Sequence, residues 1–216
     1  MSDFKPEQVL TFWFPDNGHW KSREDHGAFW DERMQGGMDE RICRDYADLT
    51  IAAAAGALDH WTDTLRGRLA LLIALDQFPR SLWRDTPAAF AQDNKATKMA
   101  METVFRDDFD DLAPWEQVFF IIAISHCEGP EHLARFTSVM PVVYHIADRL
   151  RGGVLEDLAD GVIAQNERVL GNIQRFGRHP HRNPIYGRVS TPDEEKYIAA
   201  GDFPHKRKVE DIAQGD

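Results

Sequence analysis

The chain has 216 residues, a hydrophobic content of 43% and a formal net charge of -11. This length and content suffice for one substantial core, so we expect a single domain over residues 1–216 with a polar tail from about residue 201. A net negative charge repels nucleic-acid backbones and anionic lipid surfaces, so we predict neither a nucleic-acid nor a membrane partner.

The first residues and the longest apolar runs indicate a cytoplasmic location. The opening sequence MSDFKPEQ has neither the pattern of a secretory signal nor that of a transit peptide. The apolar runs at 69–75 and 118–124 have seven residues each, whereas a membrane-spanning helix needs about 20.

Cys43 and Cys127 match neither a disulfide framework nor a zinc site. We therefore expect two reduced thiols and no cofactor.

Helix-forming residues dominate the chain, and no stretch alternates apolar and polar residues as a half-buried strand does. The first helix is predicted from about Pro6, a residue suited to a first helical turn, to Pro15. The apolar helix at 66–75 is expected to end before Pro79, because proline disrupts a helix interior. Further helices are predicted at 28–34, at 38–55 with Gly56 as the C-cap, at 87–105, and after Pro114, Pro130 and Gly153.

These elements predict an all-α fold of about eight helices in antiparallel hairpins joined by short loops. Stacked helical hairpins are typical of repeat proteins, in which one consensus recurs at a fixed period. The sequence contains no repeating consensus.

The first candidate motif is LDQFPR, which ends the apolar run at 69–75 with Asp76, Gln77 and Arg80. Polar groups at the end of a core helix need partners. Asp76 is therefore either a base in a cleft or the ion-pair partner of Arg80.

The second candidate motif is ISHCEGPEH, in which His126 and Glu128 close the apolar helix at 118–124. Residues two apart on a helix face different directions, so this pair cannot hold one ion from regular helix. The alternatives are a site role for His126 and Glu128, or a buried His126 bonded to a backbone carbonyl with Glu128 in solvent.

The third candidate motif is RFGRHPHRNPIYGR at 175–188, which we expect to be mostly loop because it contains Gly177, Pro180, Pro184 and Gly187. It lies within the stretch 168–192, which has five Arg and no Lys, Asp or Glu, so that the rest of the chain carries -16. The planar guanidinium group binds carboxylate or phosphate at two points. The stretch therefore predicts an anion site or, alternatively, arginines that fasten the loop to the acidic remainder.

Other chemistries have less support. Asp76, His126, Glu128 and His181 are of metal-ligating types, but no close-spaced ligand motif joins them, and we predict no metal. Ser125 and Cys127 flank His126 outside any nucleophile-elbow sequence.

Long ordered segments of the chain resemble the bacterial family called domain of unknown function 924. These segments are VLTFWF, LALLIALDQFPRSLWR, AFAQDNKA, the HCE triplet at 126–128, and RFGRHPHRNPIYGR followed by STPDEE. The resemblance implies a helical fold similar to the tetratricopeptide-like superfamily and implies no activity. Cys127 stands where the family pattern has Ser, which argues against a catalytic hydroxyl there. The matching positions are Asp76, Gln77, Arg80, Asp93, His126, Glu128, Arg178, His181, Arg182 and Asn183.

Three functional hypotheses remain open. In the first, the motifs converge on a small phosphate or carboxylate compound that undergoes hydrolysis or group transfer. We then predict Asp76, His126, Glu128 and His181 as catalytic residues and Gln77, Arg80, Arg178, Arg182 and Asn183 as ligand-binding residues. In the second, the chain is a non-enzymatic adaptor that binds a peptide or protein partner. In the third, the motifs are buried polar contacts that fix helix packing.

Overall fold

The computed structural model describes residues 4–201, and within that range all regular structure is helical. The predicted all-α class is therefore confirmed. The α-helical segments are α1 Pro6–Trp13, α2 Arg23–Met34, α3 Asp39–Asp45, α4 Ala47–Ala54, α5 Leu65–Leu72, α6 Phe78–Leu82, α7 Asp93–Thr103, α8 Pro114–His126, α9 His132–Leu150, α10 Leu158–Phe176, α11 Asn183–Tyr186 and α12 Pro192–Ala200. The predicted polar tail lies almost wholly outside the described residues.

The expected count of about eight helices is too low, partly because the predicted helix at 38–55 is two helices. Tyr46 leaves the helical region between α3 and α4, with φ -121° and ψ 4°. Its ring stacks on Phe12 of α1 at 4.5 Å, and its hydroxyl donates to the carbonyl of Gln8 at 3.1 Å. The helix therefore breaks at a residue that packs on another helix, although the periodicity of the sequence alone predicts that the helix continues.

The expected break before Pro79 is wrong. A π-helical turn at Ile73–Gln77 joins α5 to α6, and the N–H of Phe78 bonds to the carbonyl of Ile73, five residues earlier. In a regular α-helix a proline ring collides with the carbonyl four residues before it. In the wider π turn the preceding carbonyls are placed differently, so the proline ring does not interrupt the helix. The helix continues through Pro79 to Leu82.

The 175–188 motif is more helical than predicted. It contains a 3₁₀ turn at Pro180–Arg182 followed directly by α11. Pro180 and Pro184 occupy first-turn positions, where the missing N–H costs little. Gly177 and Gly187 have positive φ angles of 67° and 62° and end α10 and α11. Proline and glycine delimit short helices here instead of preventing them.

The core is built around the α5–α6 helix and the aromatic residues that pack on it. Trp13 of α1 contacts Phe78 of α6 and Phe119 of α8 edge-on, at 5.8 and 5.9 Å between ring centres. Consecutive helices from α7 to α10 pack against one another. Every residue from Leu69 to Phe78 is buried, so Asp76 and Gln77 are polar groups inside the core.

No helix within residues 4–201 is long and apolar enough to cross a bilayer.

Gly67 of α5 offers a direct test of this packing. A Cβ atom at this position would overlap the carbonyl oxygen of Trp61 and lie 2.9 Å from the hydroxyl of Thr64. We expect Gly67→Ala to lower the free energy of unfolding in urea by about 1–3 kcal/mol, the usual cost of overpacking. The matched control is Gly161→Ala on α10, where nothing lies within 4 Å of the new Cβ. There the same substitution is expected to stabilise the helix by about 0.5–1 kcal/mol, and equal effects of the two would contradict the packing argument.

Candidate functional site

The π turn places Asp76 at the centre of a polar cluster. The side chain is 1% exposed. One carboxylate oxygen accepts hydrogen bonds from Nδ1 of His126 at 2.8 Å and from the Arg80 guanidinium at 3.2 Å. The other accepts from the Gln77 amide at 2.6 Å. The first two predicted motifs therefore meet at this carboxylate.

A second buried carboxylate, Asp93 at the start of α7, joins the cluster to the third motif. Asp93 accepts from Arg80 at 2.7 Å with one oxygen and from Arg182 at 2.9 Å with the other. Arg182 also donates to the backbone carbonyl of His126 at 2.9 Å, and its side chain is 3% exposed. Residues from four segments of the chain thus form one continuous network around Asp76 and Asp93.

An aromatic ring lies against both arginines of this network. The guanidinium carbons of Arg182 and Arg80 lie 4.2 and 5.0 Å from the ring centre of Phe90. The Nε atoms of both arginines are buried, and neither has a hydrogen-bond acceptor among the residues that the structure describes. Unpaired buried N–H donors are uncommon, because each carries a desolvation penalty.

Glu128 forms a neighbouring ion pair. Both of its carboxylate oxygens accept from Arg188, and one also accepts the backbone N–H of His179 at 2.8 Å. Burial alone would raise the pKa of Glu128, but the hydrogen bonds from Arg188 and His179 outweigh burial and hold that pKa below its ordinary value. The prediction that Glu128 could lie in solvent is therefore wrong, since its side chain is only 18% exposed.

Two histidines bind the backbone at the end of α8. Nε2 of His132 and Nε2 of His179 each lie 2.8 Å from the carbonyl oxygen of Ser125. Since a carbonyl only accepts, both nitrogens carry the proton. Burial lowers the pKa of both imidazoles, with the charge of Arg182 adding to the effect at His179. His181 packs beside His179 at 5.5 Å between ring centres.

Arg178 and Asn183 lie in other contacts of the same segment. Arg178 forms a two-point pair with Glu194 of α12, at 2.6 and 2.7 Å. Its hydrogen bonds lower the pKa of Glu194 to about 2. Asn183 is fully buried and donates to the hydroxyl of Ser190 at 2.9 Å. These two predicted ligand-binding residues are therefore bonded to α12 and to the segment before it.

Sequence reasoning did not assign a role to Phe90, His132 or His179. Phe90 is the last residue of the 3₁₀ turn Pro87–Phe90, and the only sequence signal for it was its position within AFAQDNKA. His132 and His179 stand inside quoted motifs, but nothing local indicates that both bind the same carbonyl. Within residues 4–201, no group of three His, Cys, Asp or Glu side chains is arranged to hold a metal ion.

The network as a whole has little net charge. The arginines at 80, 182 and 188 are matched by the carboxylates at 76, 93 and 128. The excess positive charge of the 168–192 stretch is therefore largely compensated in the folded chain.

Comparison with known proteins yields a family and a structural relative. A solved structure titled "Structure of Protein of Unknown Function ATU0120 from Agrobacterium tumefaciens" is 28% identical, with a TM-score of 0.66 over 91% of this chain and 97% of that chain. No curated protein matches the chain. The family model described as "Bacterial protein of unknown function (DUF924)" matches residues 9–202. Because this match spans most of the sequence, the chain belongs to the DUF924 family of bacterial proteins.

Proposed function

We propose that the cluster around Asp76 and Asp93 binds a small phosphate or carboxylate compound and transfers a proton to or from it. The observation that carries the proposal is the pair of buried Nε–H donors of Arg80 and Arg182, which lack acceptors among residues 4–201. A guanidinium group that uses one edge for Asp93 retains its Nε–H for an anionic oxygen. Small-anion binding is favoured where such donors are already buried and held in place.

Asp76 and His126 supply the proton-transfer chemistry. The Asp76 carboxylate accepts from Nδ1 of His126, which fixes the tautomer in which Nε2 is the basic nitrogen. An imidazole oriented in this way is suited to general acid–base catalysis. Hydrolysis or group transfer on the bound compound is the reaction class that fits these residues, with Gln77 holding the second oxygen of Asp76.

The remaining predicted residues have supporting roles in this proposal. Glu128 orients the segment at 177–191, which joins α10 to α12, through His179 and Arg188, and His181 is the second candidate for proton transfer. Arg178 and Asn183 hold that segment through Glu194 and Ser190, and we no longer propose them as ligand contacts.

Thermal-shift measurements with inorganic phosphate, acetate and citrate test anion binding. A ligand at 100 times its Kd stabilises the folded protein by about 2.7 kcal/mol. We expect Arg182→Lys to weaken the response to the active anion at least about tenfold in Kd, because lysine keeps the charge but has no Nε–H and no planar fork. The control is Arg175→Lys, whose parent arginine forms an exposed pair with Asp193 and should respond as the wild type does.

Calorimetry in buffers of different ionisation enthalpy measures the net protons that the complex takes up or releases when the anion binds. Proton exchange on anion binding would make the observed enthalpy depend on the buffer, and His126→Gln is expected to remove that dependence while binding persists. The proposal fails if none of the three anions stabilises the wild type, or if Arg182→Lys and Arg175→Lys respond equally.

A purely structural role is the second candidate, and the charge balance favours it. Arginines of the 168–192 stretch pair with carboxylates in the described structure, at Arg175–Asp193, Arg178–Glu194, Arg182–Asp93 and Arg188–Glu128. Under this alternative the pairs of Arg178, Arg182 and Arg188 fasten the 177–191 segment to α12, to α7 and to the end of α8, and no anion binds. The thermal-shift experiment separates the two roles.

The proposal also covers the domain organisation, the arrangement of the helices, the location of the protein and its partners. We propose that residues 1–216 form one domain in a tetratricopeptide-like arrangement of hairpins, located in the cytoplasm and without a nucleic-acid partner. The packing of consecutive helices from α7 to α10 supports the hairpin arrangement.

A further inference from the structure

A pair of buried histidines lies outside the candidate site, on the segment that precedes α3. His19 and His26 are 3% and 5% exposed, and their Nδ1 atoms lie 3.0 Å apart. A neutral imidazole has one N–H and one lone pair, so this contact requires one Nδ1 to donate and the other to accept. Once both rings are charged, each Nδ1 carries a proton and the hydrogen bond is lost.

The rings around the pair exclude water. His19 stacks on Phe29 at 3.9 Å between ring centres, with an angle of 7° between the planes. Trp115 at the start of α8 and Trp20 contact His19 edge-on at 5.6 and 5.1 Å. A charge on His19 would therefore lie among aromatic side chains, where it is poorly solvated.

A permanent positive charge lies next to the pair. Arg33 is buried, with its guanidinium carbon 3.8 Å from the ring centre of Phe29. It donates to the carbonyls of Trp13 and Phe29 at 2.6 and 2.7 Å. Protonation of the histidines would thus place two or three positive charges in one buried space.

Other charged groups on the adjoining helices do not neutralise the pair. Glu32 of α2 bonds to Arg33 with a half-exposed side chain, and Arg41 of α3 adds positive potential at Arg33. Glu116 of α8, adjacent to Trp115, is bonded to Arg66 and to the backbone N–H of Ala113. The groups that act electrostatically on His19 are His26 and Arg33, and both disfavour its charge.

Most of the fully buried residues in the segment that carries the pair are ionisable. It consists of the 3₁₀ turn His19–Lys21 and α2 Arg23–Met34, and we call it the 19–34 segment. Its buried residues are His19, His26, Phe29 and Arg33, so three of the four are ionisable. Trp20 and Trp30 contact Trp115 and Phe119 of α8, so the contact of the segment with α8 combines aromatic packing with buried ionisable groups. Local elements open at free energies below that of global unfolding.

We propose that the 19–34 segment is an acid-sensitive element that detaches from α8 when the buried His19–His26 pair takes up protons. Burial, with the charges of His26 and Arg33, lowers the pKa of His19 from 6.5 to about 4, and burial lowers the pKa of His26. We call the attached segment the closed state and the detached segment the open state. A group whose pKa is lower in the closed state stabilises that state at pH values above the open-state pKa of the group. Closed-state stability is therefore full above pH 6.5 and is lost as the pH falls towards 4.

Hydrogen–deuterium exchange of the full chain at pH 7.5 and pH 5 tests this proposal, with exchange times corrected for the intrinsic effect of pH. For His19 alone, the shift from 6.5 to about 4 predicts an opening constant about 30-fold larger at pH 5. Peptides from the 19–34 segment should lose protection to this extent, while peptides from residues 116–126 of α8 retain theirs. Equal protection at both pH values, or a loss spread over all peptides, would overturn the proposal.

Substitutions at the two histidines and at Arg33 test whether the His19–His26 pair causes the loss of protection. The double substitution His19→Gln, His26→Gln removes both titrating groups and should make the protection of the 19–34 segment independent of pH. Arg33→Met keeps the histidines but removes a charge that lowers their pKa in the closed state, so the loss of protection between pH 7.5 and pH 5 should be smaller than in the wild type. The control is His145→Gln, because His145 is half-exposed and pairs with Asp110 at the surface. An unchanged pH response in both the double variant and Arg33→Met would contradict the proposal.

Discussion

Replacing Arg182 with methionine is expected to lower the free energy of unfolding by about 3–5 kcal/mol, the cost of breaking a buried ion pair by removing one partner. Methionine keeps much of the length of the side chain but removes the hydrogen bonds to Asp93 and to the carbonyl of His126. Asp93 is also buried, so its carboxylate would retain only the bond from Arg80. Urea unfolding followed by circular dichroism measures the change.

The control for this result is Arg175→Met, which makes the same replacement in the same stretch. Arg175 and Asp193 are both more than half exposed, and pairs of this kind contribute little to stability. If Arg182→Met were as stable as Arg175→Met, the ion pair with Asp93 would not anchor the 177–191 segment. A double-mutant cycle with Asp93→Asn would then show no coupling.

Replacing Asp76 with alanine is expected to cost a comparable amount, about 3–5 kcal/mol. The substitution removes an acceptor from the buried Gln77 amide and from the partly buried side chains of Arg80 and His126, of which Arg80 keeps its bond to Asp93. The desolvation cost of the Gln77 and His126 donors is then no longer offset by the Asp76 carboxylate. Thermal and urea unfolding both measure the loss.

The matched control is Asp108→Ala, because Asp108 is paired with Arg106 at the surface and should be replaceable without measurable loss. Asp76→Asn provides a second comparison, since the amide keeps an acceptor oxygen while removing the charge. A loss as large for Asp76→Asn as for Asp76→Ala would indicate that the negative charge, rather than the acceptor oxygen alone, stabilises the cluster.

The helices themselves were largely predictable, because their signals are local. Pro6 and Pro114 stand in first-turn positions, and Gly56 has a positive φ of 83° just beyond the end of α4, as the sequence predicts. Errors occurred where a contact with another helix or an irregular turn overrides the local preference. Tyr46 ends α3 while it packs on α1, and Pro79 continues a helix that proline ordinarily ends.

The sequence predicts many of the residues of the candidate site but not how they are arranged in space. The motifs containing Asp76, His126 and Arg182 were identified as polar groups interrupting apolar or helical sequence, and the structure brings these three into one network. Asp93 completes the network from 89 positions away from Arg182, and no sequence spacing indicates that they pair. The same holds for Arg178, whose partner Glu194 lies on α12.

By itself, the sequence determined the helical class, several helix starts and ends, the membership of residues in polar motifs and the excess of arginine at 168–192. These properties depend on backbone preferences and on composition, which act over a few residues or over the whole chain. Only the tertiary structure decided that this positive stretch is matched by carboxylates, that a π turn carries Asp76 into the core and that His19 and His26 form a buried pair. Burial and partner choice decide whether a charged side chain is solvated, paired or titratable, and both depend on how distant helices pack.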